Sequence, residues 1–292
     1  MNEPLTVAAV ARRLGVAPAT LRTWDRRYGL GPSEHSVGEH RRYSEIDLAR
    51  LTLMRKLVIA GVTPSEAAQQ ALAVKTVKST RARIAREFEV KEDLVNAVMR
   101  AASSFDRSYV DQLLRTEFQR SGVVATWNEV IVPLMAELGE TWENERKGIE
   151  IEHLVSDVVL GLLRDLYLHI ESPVNPRPVL LATVGDDLHS IALYALAAAL
   201  SEQNIYCHVL GARTPFEAIA TTMKKSAPPA LFLWSSMTKH AKPEFINDLP
   251  TLRPAPRVII GGPGWDPVKC SSAIYVDDIV EACEEITRAI GL

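Results

Sequence analysis

Three cysteines in 292 residues, widely spaced at Cys207, Cys270 and Cys283, are odd in number and fit neither a disulfide frame nor a metal-binding spacing. Their apolar surroundings read as core positions in a reducing compartment, the cytoplasm. No run of 18 or more apolar residues occurs, and the opening MNEPLTVAAVARRLG meets Arg12-Arg13 before a secretory apolar stretch can develop. Neither a membrane nor a secretory route is therefore expected. Sustained heptads are missing too, so no long coiled coil is available to pair two chains.

What is present is a charge asymmetry hidden by a net charge of −3. Residues 1–86 hold 15 Lys and Arg against 7 Asp and Glu, whereas the remainder holds 18 against 29. A basic head on an acidic body points to a polyanion met by the head alone. Within TVAAVARRLGVAPATLRTWDRRYGL, Val7, Val10, Ala11 and Leu14 form a helical stripe that Gly15 ends. Pro18 suits the first turn of a second helix, whose buried side is Leu21 and Trp24. This is the helix-turn-helix pattern. A Gly/Ser loop, Arg41-Arg42-Tyr43, and a capping-box-like start at Ser44 and Asp47 come next, leading a helix to about Ala60 and another after Thr63-Pro64.

The order helix-turn-helix, basic wing ending in RRYS, then GVTPSEA resembles the MerR family of transcription regulators over roughly residues 5–73. The resemblance implies a winged head that binds an inverted-repeat operator in double-stranded promoter DNA in pairs. Ala19, Thr20, Arg22 and Thr23 would enter the major groove, and Arg26, Arg27, Arg41, Arg42 and Tyr43 would hold phosphates. Residues 75–90 are charged without a clear apolar face and read as a linker. From 91 to 172 the helical period returns, with helices expected over 91–103, 106–120, 123–146 and 149–170, a four-helix bundle. Beyond Pro173–Pro178 the period changes. VLLATV, IYCHVL, ALFLWSS, RVIIGG and AIYV are short apolar runs alternating with helical stretches. They predict a parallel, flavodoxin-like (Rossmann-type) doubly wound sheet over 177–292, with its crevice beyond the strands' carboxyl ends. The expected fold is thus multidomain, α followed by α/β, with the head over residues 1–74.

Asp187-Leu188-His189 falls at that crevice, in the loop after the first of these strands. A carboxylate two residues before an imidazole can hold its Nδ1 proton and leave Nε2 for a metal. With Ser235-Ser236-Met237 and Gly261-Gly262 further on, the pattern resembles the cobalamin-binding domain of methionine synthases, corrinoid proteins and certain mutases. That resemblance implies His189 as the lower cobalt ligand, Asp187 as its orienting partner, and Ser235, Gly261 and Gly262 along the slot for the displaced nucleotide tail. The chain departs from the pattern at Ala192, where the family has glycine, and two indoles, Trp234 and Trp265, are expected to crowd the slot.

One further motif lies in TWENERKGIEIEH. On an unbroken helix, Trp142 and His153 would be roughly 16 Å apart, too far to meet one ligand together, and Lys147-Gly148 reads as a break that lets the chain fold back. The three segments in this order resemble the CarH/LitR photoreceptor regulators, whose W-x9-E-H motif matches Trp142, Glu152 and His153. The resemblance implies that these residues and neighbours such as Ile149 cap the upper face of adenosylcobalamin. Oligomers, dimers or tetramers, would then repress a promoter in the dark and come apart in light. Members with a second axial histidine carry it directly after the tryptophan, where this chain has Glu143. The alternative is a MerR-type regulator that works through another ligand or a protein partner. An enzyme is not expected, because no catalytic domain accompanies the sheet.

Overall fold

A computed structural model of the chain describes residues 5–33, 42–59, 61–73 and 91–292. The expected linker at 75–90 and the wing residue Arg41 lie outside the described residues. Two compact units emerge, Met1–Glu117 with Pro133–Leu154 and Phe118–Val132 with Val155–Leu292.

The first unit opens with a short strand β1 (Leu5–Thr6), then α1 (Val7–Leu14) and α2 (Pro18–Tyr28). Gly15 stops α1 in the left-handed region at φ 61°, and the Thr6 hydroxyl caps its start. Val10, Ala11, Leu14, Leu21 and Trp24 are buried, as the stripe requires. Strand β2 (Arg42–Tyr43) pairs antiparallel with β1 and leads into α3 (Glu45–Ile59) and α4 (Pro64–Leu72). The start of α3 is a reciprocal capping box. Asp47 Oδ2 accepts from the Ser44 amide and hydroxyl at 2.9 and 2.8 Å, and Ser44 Oγ accepts from the Asp47 amide at 3.3 Å. The same oxygen also takes the amide and hydroxyl of Ser33, both at 2.9 Å. Burial works to raise this carboxyl's pKa, yet the Ser33 and Ser44 donors hold it below the usual value.

Helix α5 (Lys91–Ser103) and the front of α6 (Arg107–Thr126) belong to the same unit. They fasten α3 through an Arg55–Asp106 ion pair at 2.6 Å. Next to it the Lys56 ammonium donates to Gln112 and sits 4.9 Å from the centre of the Tyr109 ring. Burial lowers the Lys56 pKa. Helix α6 is broken at Gly122 (φ 79°, ψ 174°), between the segments expected at 106–120 and 123–146. A π-helical turn (Trp127–Ile131) then joins it to α7 (Val132–Glu145), and α8 (Ile149–Tyr167) completes the helical region.

The second unit holds a five-stranded parallel sheet of β3 (Val179–Thr183), β4 (Cys207–Gly211), β5 (Ala230–Trp234), β6 (Arg257–Gly261) and β7 (Ile274–Val276), in the order β4-β3-β5-β6-β7. Helices α9 (Ile191–Ser201) and α12 (Ile279–Ile290) contact the sheet. Helices α10 (Phe216–Ser226) and α11 (Pro243–Asn247) place Ile219, Met223 and Ile246 in one core with Leu180, Leu231 and Ile260. Every residue of β3 is buried, which is why VLLAT reads as a continuous apolar run rather than an alternation. Residues 193–200 of α9 are buried without interruption, and the Tyr194 ring stands 5.9 Å from that of Tyr167 in α8. The order reverses between β3 and β5, so the loops after these two strands meet at the switch point. Among the described residues no helix is long and apolar enough to cross a membrane.

The Asp47 network yields a stability test. Replacing Asp47 by Ala leaves two amides and two hydroxyls of Ser33 and Ser44 without this acceptor, and a loss of about 2 kcal/mol is expected. Denaturant unfolding of Asp47→Ala against the parent measures it; an unchanged midpoint would exclude the capping box as a stabilising element.

Candidate ligand site and DNA-binding face

The loop after β3 brings Asp187 and His189 to the switch point, and the loop after β5 supplies Ser235 and Ser236. Asp187 is buried, and its carboxylate gathers donors from both loops. Its Oδ1 accepts from the His189 amide and lies 2.9 Å from His189 Nδ1. Its Oδ2 accepts from the Ser236 amide at 2.6 Å, while the Ser236 hydroxyl stands 2.9 Å from both carboxylate oxygens. The Ser235 hydroxyl reaches Oδ2 at 3.4 Å and the Met237 carbonyl at 3.0 Å. Burial alone would raise the Asp187 pKa. The amides of His189 and Ser236, with the imidazole and the Ser236 hydroxyl, outweigh it and hold the pKa at about 2, against 3.8 ordinarily. An ionised carboxylate beside Nδ1 keeps the proton there. The imidazole is 58% exposed, and its Nε2 takes no part in the contact with Asp187, which leaves that nitrogen as the one a metal could use.

Sequence reasoning named Asp187, His189 and Ser235 but missed Ser236, whose hydroxyl also lies 2.8 Å from His189 Nδ1. The tandem serine at the end of ALFLWSS was the available signal.

On the face of the sheet below α9 and α12 lies a cavity of about 280 Å³. Phe232, Trp234 and Gly261 form its floor, Ala192 and Leu196 one wall, and Ile279 and Ala282 the other. Trp127, Asn128 and Val132, from the π-helical turn and the start of α7, close one side. Of the residues expected along a slot, only Gly261 lines this cavity. Ser235 turns toward Asp187 instead. Gly262 supports the loop, because at φ 100° its backbone passes so near that an added Cβ would stand 2.4 Å from the Ser235 carbonyl oxygen. The expected crowding is half right. Trp234 lines the cavity, but Trp265 packs into the core on the opposite face of the sheet, where its indole N–H donates to the Leu233 carbonyl at 3.1 Å. Strand alternation places Trp234, since Leu231 and Leu233 face that core while Phe232 and Trp234 face the cavity, and the turn after β6 places Trp265, whose amide donates to the Gly262 carbonyl. Ala192 adds a methyl to the wall without closing it.

In the other unit, Trp142 is on α7 and carries the Arg146 guanidinium 5.7 Å from its ring centre. The break after it is real, with Arg146 at φ 54° and Gly148 at φ 86°. Ile149, Glu152 and His153 stand on the first turns of α8. His153 Nε2 lies 3.6 Å from Glu152, and its ring is largely exposed. The cysteines are buried and burial raises their thiol pKa values, that of Cys283 to about 12. They are core residues, as their apolar surroundings predict.

On the head, Arg22, Arg26 and Arg27 of α2 are exposed, Thr20 and Thr23 are half-buried, and Arg42 points outward from β2. Thr23 Oγ1 donates back to the Ala19 carbonyl at 3.0 Å. Tyr43 requires a correction. It is 3% exposed, because alternation on β2 turns it into the core of the head while Arg42 faces out. The phosphate role expected for it is not one this position supports.

Residues 5–72 match the MerR HTH family of regulatory proteins, and residues 91–166 and 177–290 each match a B12-binding domain. The chain carries a MerR-type HTH domain followed by two segments of the B12-binding type. The HTH-type transcriptional repressor CarH of Myxococcus xanthus is 28% identical over 262 residues, 87% of this chain and 85% of that protein. The repressor CarA of the same organism is 29% identical over 267 residues, 89% and 87% respectively. Among solved structures, the Methanosarcina barkeri monomethylamine corrinoid protein aligns with a TM-score of 0.49 and 13% identity, over 67% of this chain and 97% of that one. A cobalamin-binding protein of Desulfitobacterium hafniense aligns at 0.37 with 20% identity, over 68% and 98%.

The buried carboxylate predicts an acid-sensitive sheet unit. Because the folded-state pKa of Asp187 is depressed, its contribution is complete above the ordinary carboxylate value of 3.8 and is lost as pH falls from there through about 2. Denaturant midpoints of the parent should drop over that window, and Asp187→Asn should be less stable at neutral pH with a flatter acid dependence. Equal pH profiles would show that Asp187 is not the titrating group.

Proposed function

We propose that the regulator is a repressor whose grip on an inverted-repeat operator is governed by adenosylcobalamin and released by light. The observation that carries this reading is the Asp187–His189–Ser236 arrangement, a pre-set imidazole at the switch point with Nδ1 held and Nε2 presented. The residues fit the group on two further counts. The glycine at 262 lets backbone pass where a side chain would collide, and an apolar cavity lies on the same unit's sheet. His189 would hold the cobalt through Nε2, with Asp187 and Ser236 fixing its tautomer and ring plane. Trp142, Ile149, Glu152 and His153 would also contact the ligand. When bound, adenosylcobalamin would supply a cobalt–carbon bond that light breaks.

For DNA, the exposed Arg22, Arg26, Arg27 and Arg42, with Arg41 of the wing, would contact phosphates and bases, and Thr20 and Thr23 would face the major groove. One head offers too few contacts for tight binding, so assembly of several chains, a dimer or tetramer, sets operator affinity. A ligand that prefers the assembled form raises affinity, and its loss lowers it. The site of action would be the cytoplasm.

Two measurements test this. The purified chain mixed with adenosylcobalamin in darkness and freed of excess ligand should retain a corrin band that changes after green light, and His189→Ala should alter the band and weaken retention at least tenfold. No retained band would refute the cofactor, and a band indifferent to light would refute the photoresponse. Operator binding should fall steeply with salt through counterion release, and Arg26→Ala should reduce the slope. A shallow dependence would contradict the assigned DNA face.

A further inference from the structure

Three irregularities crowd into ten residues of the sheet-bearing unit. Gly122, at φ 79° and ψ 174°, interrupts α6. Four residues later the Thr126 hydroxyl is fully buried with no hydrogen-bond partner, although a helical threonine normally donates to the carbonyl four residues back. The Gly122 break explains this, since it carries that carbonyl off the helical path. The π-helical turn comes at once, with the Val132 amide reaching five residues back to the Trp127 carbonyl. Such turns are single-residue insertions in an α-helix, held by poorer geometry and concentrated at functional sites.

These irregularities lie in a segment with two other properties. Its beginning is pinned to the sheet domain, because the Glu202 carboxylate at the end of α9 accepts from the Val123 amide at 3.0 Å. Its end lines the cavity with Trp127, Asn128 and Val132. Helix α7, which carries Trp142, continues directly from it.

We propose that the π-helical turn Trp127–Ile131 is a two-register element that reads the cavity's occupant. In the π register Trp127 and Asn128 form part of the cavity wall. Conversion to an α register adds about one residue's worth of winding, which withdraws those two side chains and rotates the chain beyond the turn by about 100° about the helix axis. With Val123 fixed by Glu202, the rotation falls on Val132 and α7. An occupant that packs against Trp127 and Asn128 selects the π register. The inference rests on the proposed function only in taking cobalamin as the ligand, and it adds that the nucleotide tail occupies this cavity.

Hydrogen exchange on the full chain in the dark tests it, comparing the parent, a deletion of Glu129 and Thr126→Val. Without ligand, amides 127–135 of the parent should exchange together and at least tenfold faster than those of 155–163. The deletion, left with only the α register, should slow them at least tenfold. Equal protection of the two stretches in the parent, or no slowing in the deletion, overturns the proposal. Should the deletion fail to fold, Thr126→Val carries the test: it removes the unsatisfied hydroxyl and should slow the same amides at least threefold, and unchanged exchange overturns the proposal. With hydroxocobalamin retained, amides 127–135 of the parent should slow tenfold, whereas cobinamide, which lacks the nucleotide tail, should leave them unchanged. Retained hydroxocobalamin with unaltered exchange overturns the register element. If the parent retains no corrin, the proposed function fails, and the ligand-free comparison still decides the register element.

Discussion

The buried carboxylate of Asp187 is the constraint on which the candidate site depends. A lone ionised group in such a place would be costly, so it has to be met by donors, and here they come from two loops that leave adjacent parallel strands. One charge therefore fixes three things together: the spacing of the loops, the ring plane of His189, and which of its nitrogens carries the proton. Satisfying Asp187 requires Ser236 to approach with both its amide and its hydroxyl, which forces the β5 loop close to Gly262 and excludes any side chain there. The site is rigid because the charge would otherwise be stranded.

A similar logic holds the head. Asp47 collects the donors of Ser33 and Ser44 and so ties the chain on either side of the wing to the start of α3. Further along α3, Arg55 and Lys56 connect the DNA-binding head to α5 and α6 through one ion pair, one hydrogen bond and one cation–aromatic contact. Helix α3 is thus tied to the helical region through polar contacts rather than through apolar packing alone.

Most of the fold was legible in the sequence because its signals are local. Gly15 and Pro18 punctuate the first two helices, Ser44 and Asp47 write a capping box, and each of the five apolar runs beyond residue 178 became a strand. Gly148 broke the helix between Trp142 and His153, as the composition of that stretch required. What was not legible depends on which face of an element a residue occupies. Trp265 and Tyr43 are the clearest cases: a bulky residue after a double glycine and a tyrosine beside two arginines were placed by neighbourhood, whereas the turn after β6 carries the first into a core and strand alternation sends the second into another. The π-helical turn was invisible for another reason. WNEVI has ordinary helical composition, and an extra residue per turn arises from tertiary packing and from the displaced carbonyl at Gly122.

The path of the chain between its two compact units has an evolutionary consequence. The backbone passes from one to the other after Glu117, after Val132 and again after Leu154, so the stretch that matches a single B12-binding domain, residues 91–166, is shared between both. A gene fusion or truncation at either edge of that stretch would sever a helix from the partners that bury it. A head exchanged at the far end of α4 would have to bring its own partners for Asp106, Gln112 and Tyr109, and the helical region and the sheet must be inherited as one piece.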